Sequence, residues 1–191
     1  TEYGYSYVPR ILANFEYQIK QKMSFSSAVG FAGMQVPIFF YYPGTDFPTN
    51  QTIQPVKTVF LQIGFKKALG TMPMPTASSY FAYRLGLYSI AMDEFTAVSD
   101  VYFPAESVDF EATKAIMLAL NLELGKRAVF NNGLFVDYGI ALNLSPSTFY
   151  GFKDGYDFEK IEDPDYLEKA IKGRVALNSL FNFKIAVGLF Y

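Results

Sequence analysis

Six ionisable residues recur on the less apolar parity of segments that otherwise alternate apolar and small or polar residues: Glu16, Lys66, Arg84, Glu123, Asp137 and Lys184. Charges withdrawn from water must be paired and hydrogen-bonded, so these residues point to an internal ion-pair network. Catalysis is not expected. The chain has no His and no Cys, which removes the commonest general base near neutral pH, every thiolate nucleophile and the main zinc ligands. No spacing singles out a Ser-Lys pairing, and neither a G-x-x-x-x-G-K-[ST] loop nor a G-x-G-x-x-G fingerprint occurs. The expectation is no enzyme, no cofactor and no catalytic residue.

Two further groups could bind something. Asp154, Asp157 and Glu159 open an acidic stretch that continues through Glu162, Asp163 and Asp165, a weak Ca²⁺ candidate or a contact for divalent ions bridging lipopolysaccharide. The stretch does not follow the D-x-[DN]-x-[DN]-G pattern, so a solvated acidic loop with no metal is the preferred reading. Phe39, Phe40, Tyr41, Tyr42 and Phe47 load the segment 34–55 with aromatics. They suggest either a loop docking onto another envelope protein or a strand extended into the aromatic girdle at a lipid interface, and the girdle is favoured.

The elements that would position these groups are strands. A chain of 191 residues with 51% hydrophobic and 18% aromatic content fits one folded domain, 1–191, and a net charge of -2 without a basic run argues against nucleic acid as a partner. Period two recurs in segments of about ten residues, the length of a tilted transmembrane strand. Ile11, Ala13, Phe15, Tyr17 and Ile19 form one apolar face, and Phe25, Val29 and Phe31 a second. Val59, Leu61, Ile63 and Phe65 follow, then Phe81, Tyr83, Leu85 and Leu87, then Ile116 to Leu124 at alternate positions. Leu134 to Leu142 and Phe181 to Tyr191 repeat the pattern. The uncharged stretch Ser24–Thr45 is broken by Gly30, Gly33, Pro37 and Pro43 and is not expected to be a helix.

Seven strands are thus predicted, whereas single-chain bacterial barrels have an even number. The reading is a closed antiparallel up-and-down transmembrane β-barrel of about eight strands, its first strand either truncated or lying upstream of residue 9. Connections are expected to be short at 21–22, 71–77 and 125–128, where Gly125-Lys126-Arg127 would turn the chain. Long, extracellular ones are expected at 34–55, 93–111 and 145–177. Within the last, Pro164 starts a short helix over Asp165–Lys172 that would cap the barrel mouth.

A soluble lipocalin-like ligand-binding barrel would show the same period, but with its apolar face inward. Here the less apolar face carries Gly30, Gly64, Gly86, Gly139 and Gly188 with few charges, a poor aqueous exterior and a suitable narrow lumen. The apolar face is therefore expected to meet hydrocarbon.

The alternating segments, and above all the ending Phe183-Lys184-Ile185-Ala186-Val187-Gly188-Leu189-Phe190-Tyr191, resemble the OmpA-like small outer-membrane β-barrel family. In that resemblance Phe183, Ile185, Val187, Leu189 and Tyr191 stand where the assembly signal lies, with Tyr191 in place of the more usual Phe. It implies insertion by the barrel-assembly machinery and a bacterial outer-membrane location among lipid and lipopolysaccharide. The function expected is a non-catalytic integral barrel with a plugged polar lumen, structural or surface-presenting. The alternatives are an accessory subunit of a larger outer-membrane transport, secretion or assembly complex, and a binder of a small solute or lipid in the upper lumen.

Overall fold

The structure, a computed structural model, describes residues 10–41, 50–74, 76, 79–99, 106–148, 156–157 and 164–189. Strands β1 (Arg10–Lys20), β2 (Met23–Tyr41), β3 (Asn50–Ala68) and β4 (Ser79–Met92) are followed by a small hairpin, β5 (Phe95–Ser99) and β6 (Glu106–Phe110). Then come β7 (Thr113–Val129), β8 (Leu134–Leu144), the two-residue β9 (Tyr156–Asp157), helix α1 (Pro164–Asn178) and β10 (Phe181–Leu189). The main sheet runs β1-β2-β3-β4-β7-β8-β10 with every step antiparallel, and β9 adds to β2. It is curled into a half-barrel.

The alternation predicted from sequence becomes two faces of this curl. The outer face exposes Ile11, Phe15, Val29, Phe31, Leu61, Ile63, Leu85, Leu87, Ile116, Leu118, Leu120, Leu124, Ile140, Phe183 and Ile185. On β7, Lys114 and Lys126 bracket the apolar run Ile116–Leu124, close to the ~9–11 residues with which a tilted strand crosses a bilayer. On β3, Lys57 and Lys67 bracket Val59–Phe65 in the same way. Near the end where the short turns lie, Tyr17, Phe25, Phe65 and Tyr83 are successive cross-strand partners. The Phe25 and Phe65 rings lie 6.2 Å apart, Phe65 and Tyr83 5.7 Å, and Phe81 and Tyr83 6.2 Å.

Three expectations are corrected. The segment 125–128 is not a turn: β7 runs through it to Val129, because Gly125 leaves the space that the Tyr80 ring from β4 occupies. The turn lies at 130–133, where Gly133 has φ of 79° and the Asn132 side chain accepts a hydrogen bond from the Leu134 amide. The segment 34–55 is mostly strand rather than a long connection: β2 continues to Tyr41 and pairs with β3 up to Phe40↔Asn50, so Phe39, Phe40 and Tyr41 extend β2, as the favoured reading of these aromatics has it. The helix expected over Asp165–Lys172 extends to Asn178.

The inner face is also not polar throughout. Its half toward the short turns is polar, but the half toward the long connections buries Met34, Val36, Val56, Ile90, Met92, Ala115 and Met117 against Ile171, Val175 and Ala176 of α1. Those strand residues continue the alternation past the stretch that the outer belt covers, so their inward side chains need an apolar partner. Helix α1 supplies it.

Candidate functional site: a charged cluster on the concave face

Each of the six ionisable residues singled out from sequence lies on the inner face: Glu16 on β1, Lys66 on β3, Arg84 on β4, Glu123 on β7, Asp137 on β8 and Lys184 on β10. Two carboxylate-centred groups form. In the first, Lys66 Nζ lies 2.8 Å from Asp137 Oδ2 and 3.0 Å from Glu16 Oε2. Arg127 donates to both oxygens of Asp137, at 2.5 and 2.7 Å, and through Nη2 to Glu16 Oε2 at 2.8 Å. In the second, Glu123 accepts from Arg84 Nη1 at 2.6 Å, from the Tyr80 hydroxyl at 2.6 Å and from Lys184 Nζ at 3.1 Å. The Lys66 ammonium sits over the Tyr80 ring, 4.0 Å from its centroid, and joins the two groups.

A shell of neutral groups completes the site. Arg84 also donates from Nε to Ser26 Oγ at 3.0 Å and from Nη1 to Asn121 Oδ1 at 3.2 Å. Asn121 donates to Asn143 at 2.7 Å, and Asn143 to the carbonyl of Ser179, just after α1, at 2.9 Å. The Arg127 guanidinium lies 4.2 Å from the centroid of Phe135. Lys66 is fully buried and Arg84 and Glu123 are nearly so. Such desolvated charges persist because each meets opposite charge with good hydrogen-bond geometry.

The contacts also measure curvature. β1 is the first strand of the sheet order and β7 the fifth, yet Glu16 and Arg127 meet across the concavity. Lys66 on the third strand likewise meets Asp137 on the sixth. Barrels of about eight strands have an interior just wide enough for side chains to fill, and wider ones leave a channel.

Arg127 and Tyr80 were missed from sequence. The turn expected at 125–128 takes in Arg127, although Arg127 shares the parity of Asn121 and Glu123 and that parity continues past Gly125 along β7. Tyr80 shares the parity of Ala82 and Arg84, but nothing in its type announces a partner for Glu123. Phe183, Ile185, Val187 and Leu189 all point outward on β10, and Tyr191 lies outside the described residues. So do Tyr42, Phe47, Asp154 and Glu159, while Asp157 is described only as part of β9. The stacked pair that the structure does describe in a long connection is Phe95 and Phe110, 4.5 Å apart in β5 and β6.

No group of three or more His, Cys, Asp or Glu side chains that could hold a metal ion occurs among the described residues. Every carboxylate of the cluster is engaged by cations, an arrangement that fills space and fixes strands. What fold and site define together is a class: an antiparallel half-barrel meander with an apolar exterior and a charge-paired interior. Comparison with protein-family models, curated proteins and solved structures gave no match.

Proposed function

We propose that this chain is an integral outer-membrane β-barrel protein, closed at about eight strands and non-catalytic, whose lumen is plugged and whose long connections present a surface. One observation carries the reading: among the described residues large apolar side chains are exposed across the middle of the outer face while lysine, arginine and carboxylate side chains are buried on the inner face. A protein folded in water has the reverse arrangement; a lipid-facing barrel has this one. The lysines bracketing the apolar runs of β3 and β7, and the aromatic row Tyr17-Phe25-Phe65-Tyr83, fit the boundaries of a hydrocarbon layer. The outward alternation on β10 supports recognition of the terminal strand by the barrel-assembly machinery.

The test is refolding from denaturant with and without amphiphile. The expected result is strand-rich circular dichroism and heat-modifiable migration in SDS gels only when detergent micelles or phospholipid vesicles are present. A monomer that stays folded in plain buffer would refute the membrane reading and favour a soluble barrel.

A further inference from the structure

The exposed charges of the strands and turns are sorted by end. At the end of the short turns stand Lys20 and Lys22 beside the β1–β2 connection, Lys67 near the end of β3 and Lys126 on β7, all exposed. No exposed carboxylate side chain accompanies them among the described residues. Glu16, Glu123 and Asp137, which lie on the strands leading to that end, turn inward to the ion cluster. None of the four lysines is ion-paired among the described residues. The end of the long connections is the reverse: Asp93, Glu94, Asp109 and Glu111 are exposed there beside Lys57 and Lys114, and Asp93 holds Lys57 at 2.8 Å.

We infer that the short-turn rim is a docking belt for the headgroups of anionic phospholipid, with Lys20, Lys22, Lys67 and Lys126 reaching their phosphates. The inference rests on the membrane reading above. Depth carries it together with charge. Lys67 follows Phe65 of the aromatic row by two residues on the same face, and it lies opposite Met23 and Phe81. Two residues of strand span about 7 Å, or about 5 Å of depth at a tilt of ~40°. That step leads from the edge of the hydrocarbon into a polar headgroup zone ~5–7 Å thick. Lys126 follows Leu124, the last residue of the apolar run on β7, by the same step and stands opposite Tyr138. The β1–β2 connection is tied to the same rim: the Lys22 carbonyl accepts from the Ala68 amide at 2.9 Å and the Gln21 carbonyl from the Met74 amide at 2.7 Å.

The neighbours of these lysines favour a lipid surface over a soluble polyanion. Leu69, Met72, Val129 and Phe130 are exposed at this end, and an interface takes up such side chains where a polymer binding from solution would leave them wet. Lysine stems lie along apolar surface while their heads reach outward. A lysine near an anionic surface favours it about fivefold, an attraction that fades within a Debye length.

The test is the lipid selectivity of the full chain folded in phosphatidylcholine vesicles. Electron spin resonance reads the share of spin-labelled phosphatidylglycerol, or of spin-labelled phosphatidylcholine, immobilised at the protein surface. The expected result is a several-fold preference for phosphatidylglycerol at low salt, weakened at about 1 M salt. It should be lost when Lys20→Gln, Lys22→Gln, Lys67→Gln and Lys126→Gln are combined, and kept when Lys57→Gln is combined with Lys114→Gln. Equal association of the two lipids with the unaltered chain overturns the inference. So does a preference that survives the fourfold change or disappears with the loop-end pair.

The chain has no cysteine, so single Met72→Cys and Ala112→Cys variants carrying a fluorophore give a second readout that leaves all four lysines in place. Phosphatidylglycerol with a nitroxide near its headgroup should quench residue 72 more strongly than the matching phosphatidylcholine at the same mole fraction, and should show no such advantage at residue 112. Equal advantage at both ends, or none at residue 72, overturns the inference. Failure of the unaltered chain to show heat-modifiable migration in the vesicles would instead strike at the membrane reading.

Discussion

Glu123 accepts hydrogen bonds from three side chains on two other strands, so replacing it leaves Arg84 and Lys184 without their shared anion. Removing one member of a buried ion cluster costs about 3–5 kcal/mol, while replacing the whole group by apolar residues of similar volume is often neutral or better. Glu123→Gln should therefore lower folding stability in vesicles by about that amount, measured by urea titration of the heat-modifiable form. Arg84→Met and Lys184→Met combined with Glu123→Leu should recover most of the loss. Gly125 gives a second prediction at this scale. A side chain there would strike the Tyr80 ring, so Gly125→Val should cost about 1–3 kcal/mol by overpacking, and the cost should shrink in a Tyr80→Ala background, where the double-mutant cycle reads the coupling directly.

Strands were the most legible elements, and the reason is physical. A side-chain period of two leaves its mark on every residue of β1, β4 and β10, whereas a turn is marked by a few residues whose types also serve inside strands. Gly125 is such a case: the turn it suggests is overridden by packing against Tyr80, and Arg127 went unrecognised with it. The inward residues Met34, Val36 and Val56 fall in or beside the segment 34–55 expected as a long connection, where the apolar and small residues no longer alternate cleanly, although β2 carries Pro37 opposite Ile53 without interruption. Helix α1 was legible at its Pro164 start but not in its extent, since its burial depends on strands distant in sequence. Leu120 lies midway along the exposed run of β7, so Leu120→Arg should destabilise the inserted protein by about 2–4 kcal/mol. A change at bracketing Lys126 should have little effect. Ile171→Ala should cost roughly 2–5 kcal/mol where the site cannot collapse, and hydrogen exchange should show that loss as faster exchange in α1 rather than in β3.

At the scale of the whole molecule, the ion cluster spans the concavity from Glu16 on one edge strand to Lys184 on the other, through Lys66, Arg84, Glu123, Arg127 and Asp137. With the sheet closed, no continuous water column would fit beside it, so planar-bilayer recordings should show no large, stable single-channel steps. A variant with Glu16, Arg127 and Asp137 all replaced by alanine should conduct if the cluster alone blocks the way, and should stay silent if α1 blocks it as well.

The inner face therefore presents two unlike media in succession. A hydrated ion arriving from the side of the long connections would first have to shed its water against methionine, valine and isoleucine under α1. A greasy molecule that slipped past the helix would next meet paired charges that offer it nothing. In the proposed closed barrel each layer would repel what the other would admit, so breaching one would leave the other as a seal, a bulkhead rather than a doorway.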